Sequence, residues 1–319
     1  MITFIQQLIN GLMIGSLYAL LALGYSMVYG VLKMVNFAHG ELFMLGPMFS
    51  LVLLRAFDII EGPLNVIKGK LNFGQTAGVL LLCFIGGSII SAITGLLMER
   101  FAYRTLRNRK APMAISMIAA MGVSLLLQNA AMLIFGYKQK GFPSILEVKY
   151  FSIGGAQFSN LQILILGVVV FLLITLGYLV NKTYLGRNFR AVSMDQCAAG
   201  LMGVDVNAVV AFVFILGPAI GAISGVMYAM SYGQVYYLMG STIGMKGWIS
   251  AIIGGIGNVW GSVMGGLLLG VLEVVGAGYL PLITGGSLGS EYRNIFAFIF
   301  LIGVLLWRPQ GLFGKRGIK

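Results

Sequence analysis

The sequence predicts an all-α integral membrane protein, a glycine-rich polytopic helix bundle of about nine transmembrane segments. Three observations predict it. The chain is 59% hydrophobic and 9% charged, whereas a soluble domain carries about 25% charged residues. Its mean hydropathy is +0.95. Uncharged windows recur, many of them longer than the roughly 20 residues that cross the hydrocarbon core: Thr3–Leu32, Leu71–Met98, Ala111–Tyr137, Phe151–Asn181, Val206–Met245 and the shorter Val274–Ser290. Residues 1–319 are expected to form a single transmembrane domain, with one polar loop at about 182–206.

The first window has no basic residue ahead of it and exceeds the 7–15 residues of a signal-peptide core, so it is expected to remain as the first span. Asn36-Phe37-Ala38-His39-Gly40-Glu41 follows and holds the only histidine. One His beside one Glu lacks a nucleophile, an orienting third group and a metal-ligand partner, so catalysis is not expected. His39 and Glu41 are expected to be hydrogen-bonded at a helix junction, with participation in a transport pathway as the alternative. Leu42–Leu54 is short for a span and carries Pro47. It is expected to be a broken or tilted helix lining a cavity.

Basic residues set the orientation. Arg100, Arg104, Arg107, Arg109 and Lys110 share one loop. Lys182, Arg187 and Arg190 share a second, and Arg308, Lys315, Arg316 and Lys319 form the tail. Lys and Arg accumulate on the cytoplasmic side, which puts these segments inside and segments 55–75 and 138–160 outside. Spans near 5–29, 41–56, 76–98, 112–136, 161–181 and 207–230 then leave residue 231 outside. A cytoplasmic tail after a span at 293–307 needs two more crossings, near 243–256 and 258–278. Nine crossings satisfy this parity; eight, with one segment re-entrant, is the alternative. The net charge of +12 follows from this bias and suits anionic lipid head groups. Nucleic-acid binding is excluded, because the basic residues are divided among loops.

The 182–206 loop offers Arg187, Arg190 and Asp195, then a small-residue patch of Ala198, Ala199 and Gly200, then Gly203-Val204-Asp205. A short amphipathic helix on the face of a membrane protein is a natural docking surface for a soluble partner. Further on, Gly217, Gly221 and Gly225 fall on one helical face, as do Gly257, Gly261 and Gly265. Small residues every four positions let helix backbones approach closely in lipid. Pro218 is expected to kink its helix. Lys246 is expected to snorkel near an outer end. Glu273 lies in a span, where a carboxylate is expensive and faces a partner or a wet cavity. Cys83 and Cys197 form no disulfide framework and no metal spacing. No phosphate-cradling G-x-x-x-x-G-K-[ST] run occurs, and no cofactor is expected.

Several segments together resemble a known family. Asn36-Phe37-Ala38-His39-Gly40-Glu41-Leu42-Phe43-Met44-Leu45-Gly46 is similar to the signature of LivH-type permeases of branched-chain amino acid ABC importers. The opening Asn10-Gly11 through Ala22-Leu23-Gly24, the 187–205 loop, Gly254-Gly255-Ile256-Gly257-Asn258 and Arg308-Pro309-Gln310-Gly311-Leu312-Phe313-Gly314 fit in the same order. Pro47, in place of a small residue, and the long polar stretch 58–75 depart from the family pattern. The resemblance implies a bacterial or archaeal cytoplasmic membrane and a set of partners: a second related permease, two cytoplasmic ATPase subunits and a periplasmic or lipid-anchored binding protein. It also implies that 187–205 is the loop that couples to an ATPase, and that Leu, Ile and Val are the default cargo. Importers of urea or short amides share these motifs and are the first alternative. A stand-alone secondary transporter or channel is the second, and it would need a coupling-ion site or a selectivity constriction of its own.

Overall fold

Long charge-free runs become long helices because every backbone polar group in lipid must be satisfied within its own segment. A computed structural model describes residues 2–62, 65–68, 72–109, 111–153, 155–283, 285 and 293–314. Lys110, Tyr292 and the tail residues Lys315, Arg316 and Lys319, together with part of the 58–75 loop and most of 284–290, lie outside the described residues.

Helix α1 runs Ile2–Leu32 and ends where Lys33 adopts φ 55°. Helix α2 is His39–Ala56 and continues unbroken through Pro47, so of the broken or tilted helix expected here the break does not occur. Helix α3, Phe73–Met98, leads through a π-helical turn at Glu99–Tyr103 into the short α4, Arg104–Asn108. Helices α5 (Met113–Phe135) and α6 (Asn160–Lys182) follow. The polar loop folds as α7 (Tyr184–Met194) and α8 (Gln196–Leu201). Helix α9, Val206–Tyr232, is continuous through Pro218. The last three are α10 (Met239–Gly254), α11 (Val259–Ile283) and α12 (Arg293–Trp307). Three antiparallel pairs of short strands, 60–61 with 66–67, 140–141 with 234–235 and 150–153 with 156–159, occupy the loops.

Six helices among the described residues are long and apolar enough to cross a membrane: α1, α3 with its extension, α5, α6, α9 and α11. Their burial differs. The most apolar window of α1 is 89% buried, while those of α5 and α6 are 17% buried. α1 is therefore largely enclosed by protein, and α5 and α6 leave broad apolar faces exposed, such as Ile118, Leu125 and Leu133, or Ile163, Phe171 and Ile174.

The chain divides into two compact units. One comprises residues 1–26, 148–171 and 245–319. In it, α11 lies against α1 backbone to backbone: a Cβ added at Gly270 would strike Gly15, and one at Gly266 would strike Ala19. The other unit comprises residues 27–147 and 172–244, built on the mutual packing of α2, α3 and α9. Here Gly95 meets Phe214, and Gly225 meets the Phe43 carbonyl too closely for any side chain. Ser91 and Ser50 donate across this trio, Ser91 to the Leu42 carbonyl at 2.9 Å and Ser50 to the Cys83 carbonyl at 3.0 Å.

Candidate functional site

The polar segment is built from its caps. Thr183 accepts from the Gly186 N–H at 3.1 Å and starts α7. Gly186 then lies so close to the Val180 carbonyl that a side chain would not fit. Phe189 and Val192 are buried, and Phe189 packs against Gly30. On the opposite face Arg187 stacks over the Tyr184 ring at 5.6 Å, and Arg190 donates to the Val180 carbonyl at 2.7 Å. Asp195 ends α7 and caps α8, accepting from the N–H groups of Cys197 and Ala198 at 2.8 and 3.0 Å. Gly203, at φ 83°, closes α8 with the paired bonds Gly203 N–H to Gly200 and Val204 N–H to Ala199, a Schellman stop that needs left-handed backbone. Asp205 caps α9 through the Ala208 N–H at 3.1 Å.

Most of the polar residues singled out in this loop therefore shape the segment. Ala199 is only 5% exposed, so it belongs to the packing and not to the docking patch expected of it, because it faces inward on α8. Ala198, Gly200, Gly203 and Asp205 are exposed and Val204 is half-buried. The exposed surface is instead carried by apolar side chains that the residue pattern did not single out: Met194 at 86%, Leu201 at 85% and Met202 at 85% exposure. The signal that could have found them is an apolar residue beside each cap, next to Asp195 and next to Gly203. Lys33 and Gln196 tie the segment to the end of α1, Lys33 donating to the Ser193 carbonyl at 2.7 Å and Gln196 to that of Val31.

Beside it is a cavity of about 280 Å³ whose lining includes Lys33, Tyr103, Arg107, Ser116 and Gln196. Arg107 donates to Glu99 at 3.0 Å and to Asn207 at 2.7 Å, joining the end of α3 to the start of α9. Asn36 is buried in the junction after α1, accepting from the Tyr103 hydroxyl at 2.7 Å and from the Ala38 N–H at 3.1 Å. His39 is the first residue of α2 and fully buried. Glu41, 1% exposed, accepts from the Ser124 hydroxyl of α5 at 3.2 Å.

In the other unit, Glu273 of α11 is ion-paired with Lys246 of α10, and the Lys246 ammonium lies 5.6 Å from the centre of the Tyr18 ring. Lys246 does not snorkel as expected: its side chain is 12% exposed, held inward by a buried carboxylate. Gly261 and Gly265 face Gly254 and Ser250 at a backbone contact. Gly257 does not share their helical face. It stands at φ 90° in the turn before α11, donating its N–H to Ser26 at 2.9 Å. Gly217, Gly221 and Gly225 are all buried in α9.

Six apolar spans, buried polar junctions and an exposed apolar knob on a polar helical segment define a polytopic integral membrane protein. The family profile described as "Branched-chain amino acid transport system / permease component" matches residues 7–305, and the chain belongs to that family. It is 36% identical to the high-affinity branched-chain amino acid transport system permease protein BraD of Pseudomonas aeruginosa, covering 99% of this chain and 97% of the relative. It is 34% identical to LivH of Escherichia coli with the same coverage. With a probable LivH of Methanocaldococcus jannaschii it shares 28% over 97% of this chain and 92% of the relative. No solved structure matches the chain.

Proposed function

We propose that the chain is the transmembrane permease subunit of an ATP-driven importer that moves branched-chain amino acids into the cytoplasm. The observation that carries this is similarity along nearly the whole chain to BraD and LivH, permease proteins of high-affinity branched-chain amino acid systems. The chain supplies the pathway and no ATPase site. Hydrolysis belongs to two cytoplasmic ATPase subunits, alongside a second related permease and a binding protein at the outer face of the cytoplasmic membrane. Nine crossings fit the helices α1, α2, α3, α5, α6, α9, α10, α11 and α12, with the N-terminus outside and α7–α8 inside. The exposed Met194, Leu201 and Met202 suit a hydrophobic socket on an ATPase, because a few desolvated apolar anchors dominate such contacts.

The test is ATP-dependent uptake in vesicles holding the full complex. Leu201→Glu with Met202→Glu is expected to lower leucine uptake at least about tenfold and to weaken ATPase co-purification, while membrane abundance holds. Normal uptake in that variant would remove the docking assignment. Urea outcompeting leucine for uptake would move the complex to the amide importers. Uptake by the chain alone, without ATPase subunits, would make it a secondary transporter or channel.

A further inference from the structure

Three carboxylates are buried among the described residues: Glu41, Glu99 and Glu273. Glu99 meets Arg107 and Arg104, and Glu273 meets Lys246. Glu41 has a different environment. It takes one hydrogen bond, from Ser124, and its Oε2 is buried without a partner among the described residues. No ion pair among those residues includes it. A carboxylate in apolar surroundings is costly unless a cation and hydrogen bonds match it. An ionisable group kept at membrane depth without such a match is a functional candidate.

The neighbours of Glu41 indicate which chemistry would match it. Ser124 and Gln128 are one turn apart on α5, so their side chains share a face. The Gln128 amide donates to the Ser241 hydroxyl at 3.3 Å, and that hydroxyl donates to the Leu238 carbonyl at 3.1 Å. The Gln128 carbonyl oxygen thus stays available as an acceptor on the face of α5 that also carries Ser124. A group with several N–H donors, a positive charge and no acceptor suits such a set, and an ammonium has three donors and no acceptor. The lid over the site is bare backbone. Gly240, in the first turn of α10, rests on Glu41 Oε2 so closely that a Cβ would strike it, and Gly40 meets Gly240 and Gly244. At these glycines α10 and α2 meet backbone to backbone, while Met239 and Ile243 of the same turn are buried in the packing.

We propose that Glu41, with Ser124 and Gln128 beside it, receives the α-ammonium group of the amino acid in transit, and that the first turn of α10 closes over it. This rests on the importer reading above and assigns it a recognition point inside the permease.

The experiment counts leucine imported per ATP hydrolysed by the full complex in proteoliposomes, driven by saturating leucine-loaded binding protein. Glu41→Gln is expected to lower that ratio at least about tenfold while binding-protein-stimulated hydrolysis stays within about twofold. Glu41→Asp is expected to recover part of the ratio, and Gln128→Leu to lower it about threefold. An unchanged ratio in Glu41→Gln overturns the proposal. So does a parallel fall of uptake and hydrolysis, which marks a structural post. If Glu41→Gln does not accumulate, Gln128→Leu decides, and an unchanged ratio there overturns the proposal. Absence of ATP-dependent leucine uptake by the unaltered complex would instead overturn the importer reading itself.

Discussion

Glu273 and Glu41 are each at most 1% exposed, and both sit on helices that meet their neighbours through glycine. Glu273 faces the Lys246 ammonium, which also lies over the Tyr18 ring. Glu41 faces a serine hydroxyl and the bare backbone of Gly240. The first arrangement is closed: charge is matched, and α10 is tied to α11 beside the Gly15–Gly270 contact. The second is open: one oxygen lacks a partner among the described residues. Burial alone therefore does not separate a structural carboxylate from a functional one. The partner does.

Breaking the closed site has the largest expected effect. Lys246→Met leaves Glu273 as an uncompensated buried charge, a loss of about 3–5 kcal/mol. Glu273→Gln strands Lys246 with a similar loss. The double variant Lys246→Met with Glu273→Leu is expected to regain most of it, since well-packed apolar replacements of a buried pair are often neutral. Thermal unfolding of the detergent-solubilised protein, arranged as a double-mutant cycle, measures this. Strictly additive losses would mean that the pair is not a coupled unit.

Glu99 is an intermediate case and sharpens the contrast. It has two cationic neighbours, Arg107 at 3.0 Å and Arg104 at 3.9 Å, and Arg104 is 37% exposed in its side chain. Arg107→Met removes the closer partner and the bond to Asn207 but leaves Arg104 to turn inward. The expected loss is about 2–3 kcal/mol by the same thermal assay. A loss as large as that of Lys246→Met would show that Arg104 gives no compensation.

These differences were partly legible in the sequence. The charge-free windows anticipated α5 as 112–136 against Met113–Phe135, and α9 as 207–230 against Val206–Tyr232. Membrane helices are written in a single contiguous property, so their existence needs no tertiary information. The polar loop was legible as a helical segment for the same reason. Pairings were not. Lys246 and Glu273 are 27 positions apart on separate helices, and an isolated lysine near a span end reads as a snorkelling one until its partner is known. Gly257 fell out of its inferred stripe because spacing every four residues says nothing about where a helix begins. The turn before Val259 takes it at positive φ. Met194, Leu201 and Met202 were overlooked because apolar residues carry little information in a chain so rich in them. Only their exposure sets them apart.

The caps of the 184–201 segment supply a smaller perturbation that leaves both carboxylate sites alone. Asp195→Ala removes the acceptor for two N–H groups of α8, worth about 1 kcal/mol locally. Because α8 is short, its fraying is expected to appear as faster amide exchange over residues 196–204, without a shift in the unfolding of the spans. A shift of the global transition would mean that α8 is part of the core unit.

The smallest stability effect is expected at Glu41. If its carboxylate had a structural partner, Glu41→Gln would strand that partner and cost several kcal/mol, as at Glu273. Among the described residues its partner is the Ser124 hydroxyl, which can donate as well to a glutamine carbonyl oxygen of the same shape. Neutralising a buried charge that no cation matches also removes a desolvation penalty. Thermal unfolding of Glu41→Gln is therefore expected to lie within about 1 kcal/mol of the unaltered protein, on either side of it. Gly240→Ala, which presses a methyl group against the same oxygen, is expected to be destabilising in the native background and less so beside Glu41→Ala. That coupling places the α10 turn directly over the carboxylate. A loss of about 3 kcal/mol or more in Glu41→Gln would put Glu41 in the same class as Glu273, as a residue that holds helices together, and the contrast between the two sites would fail.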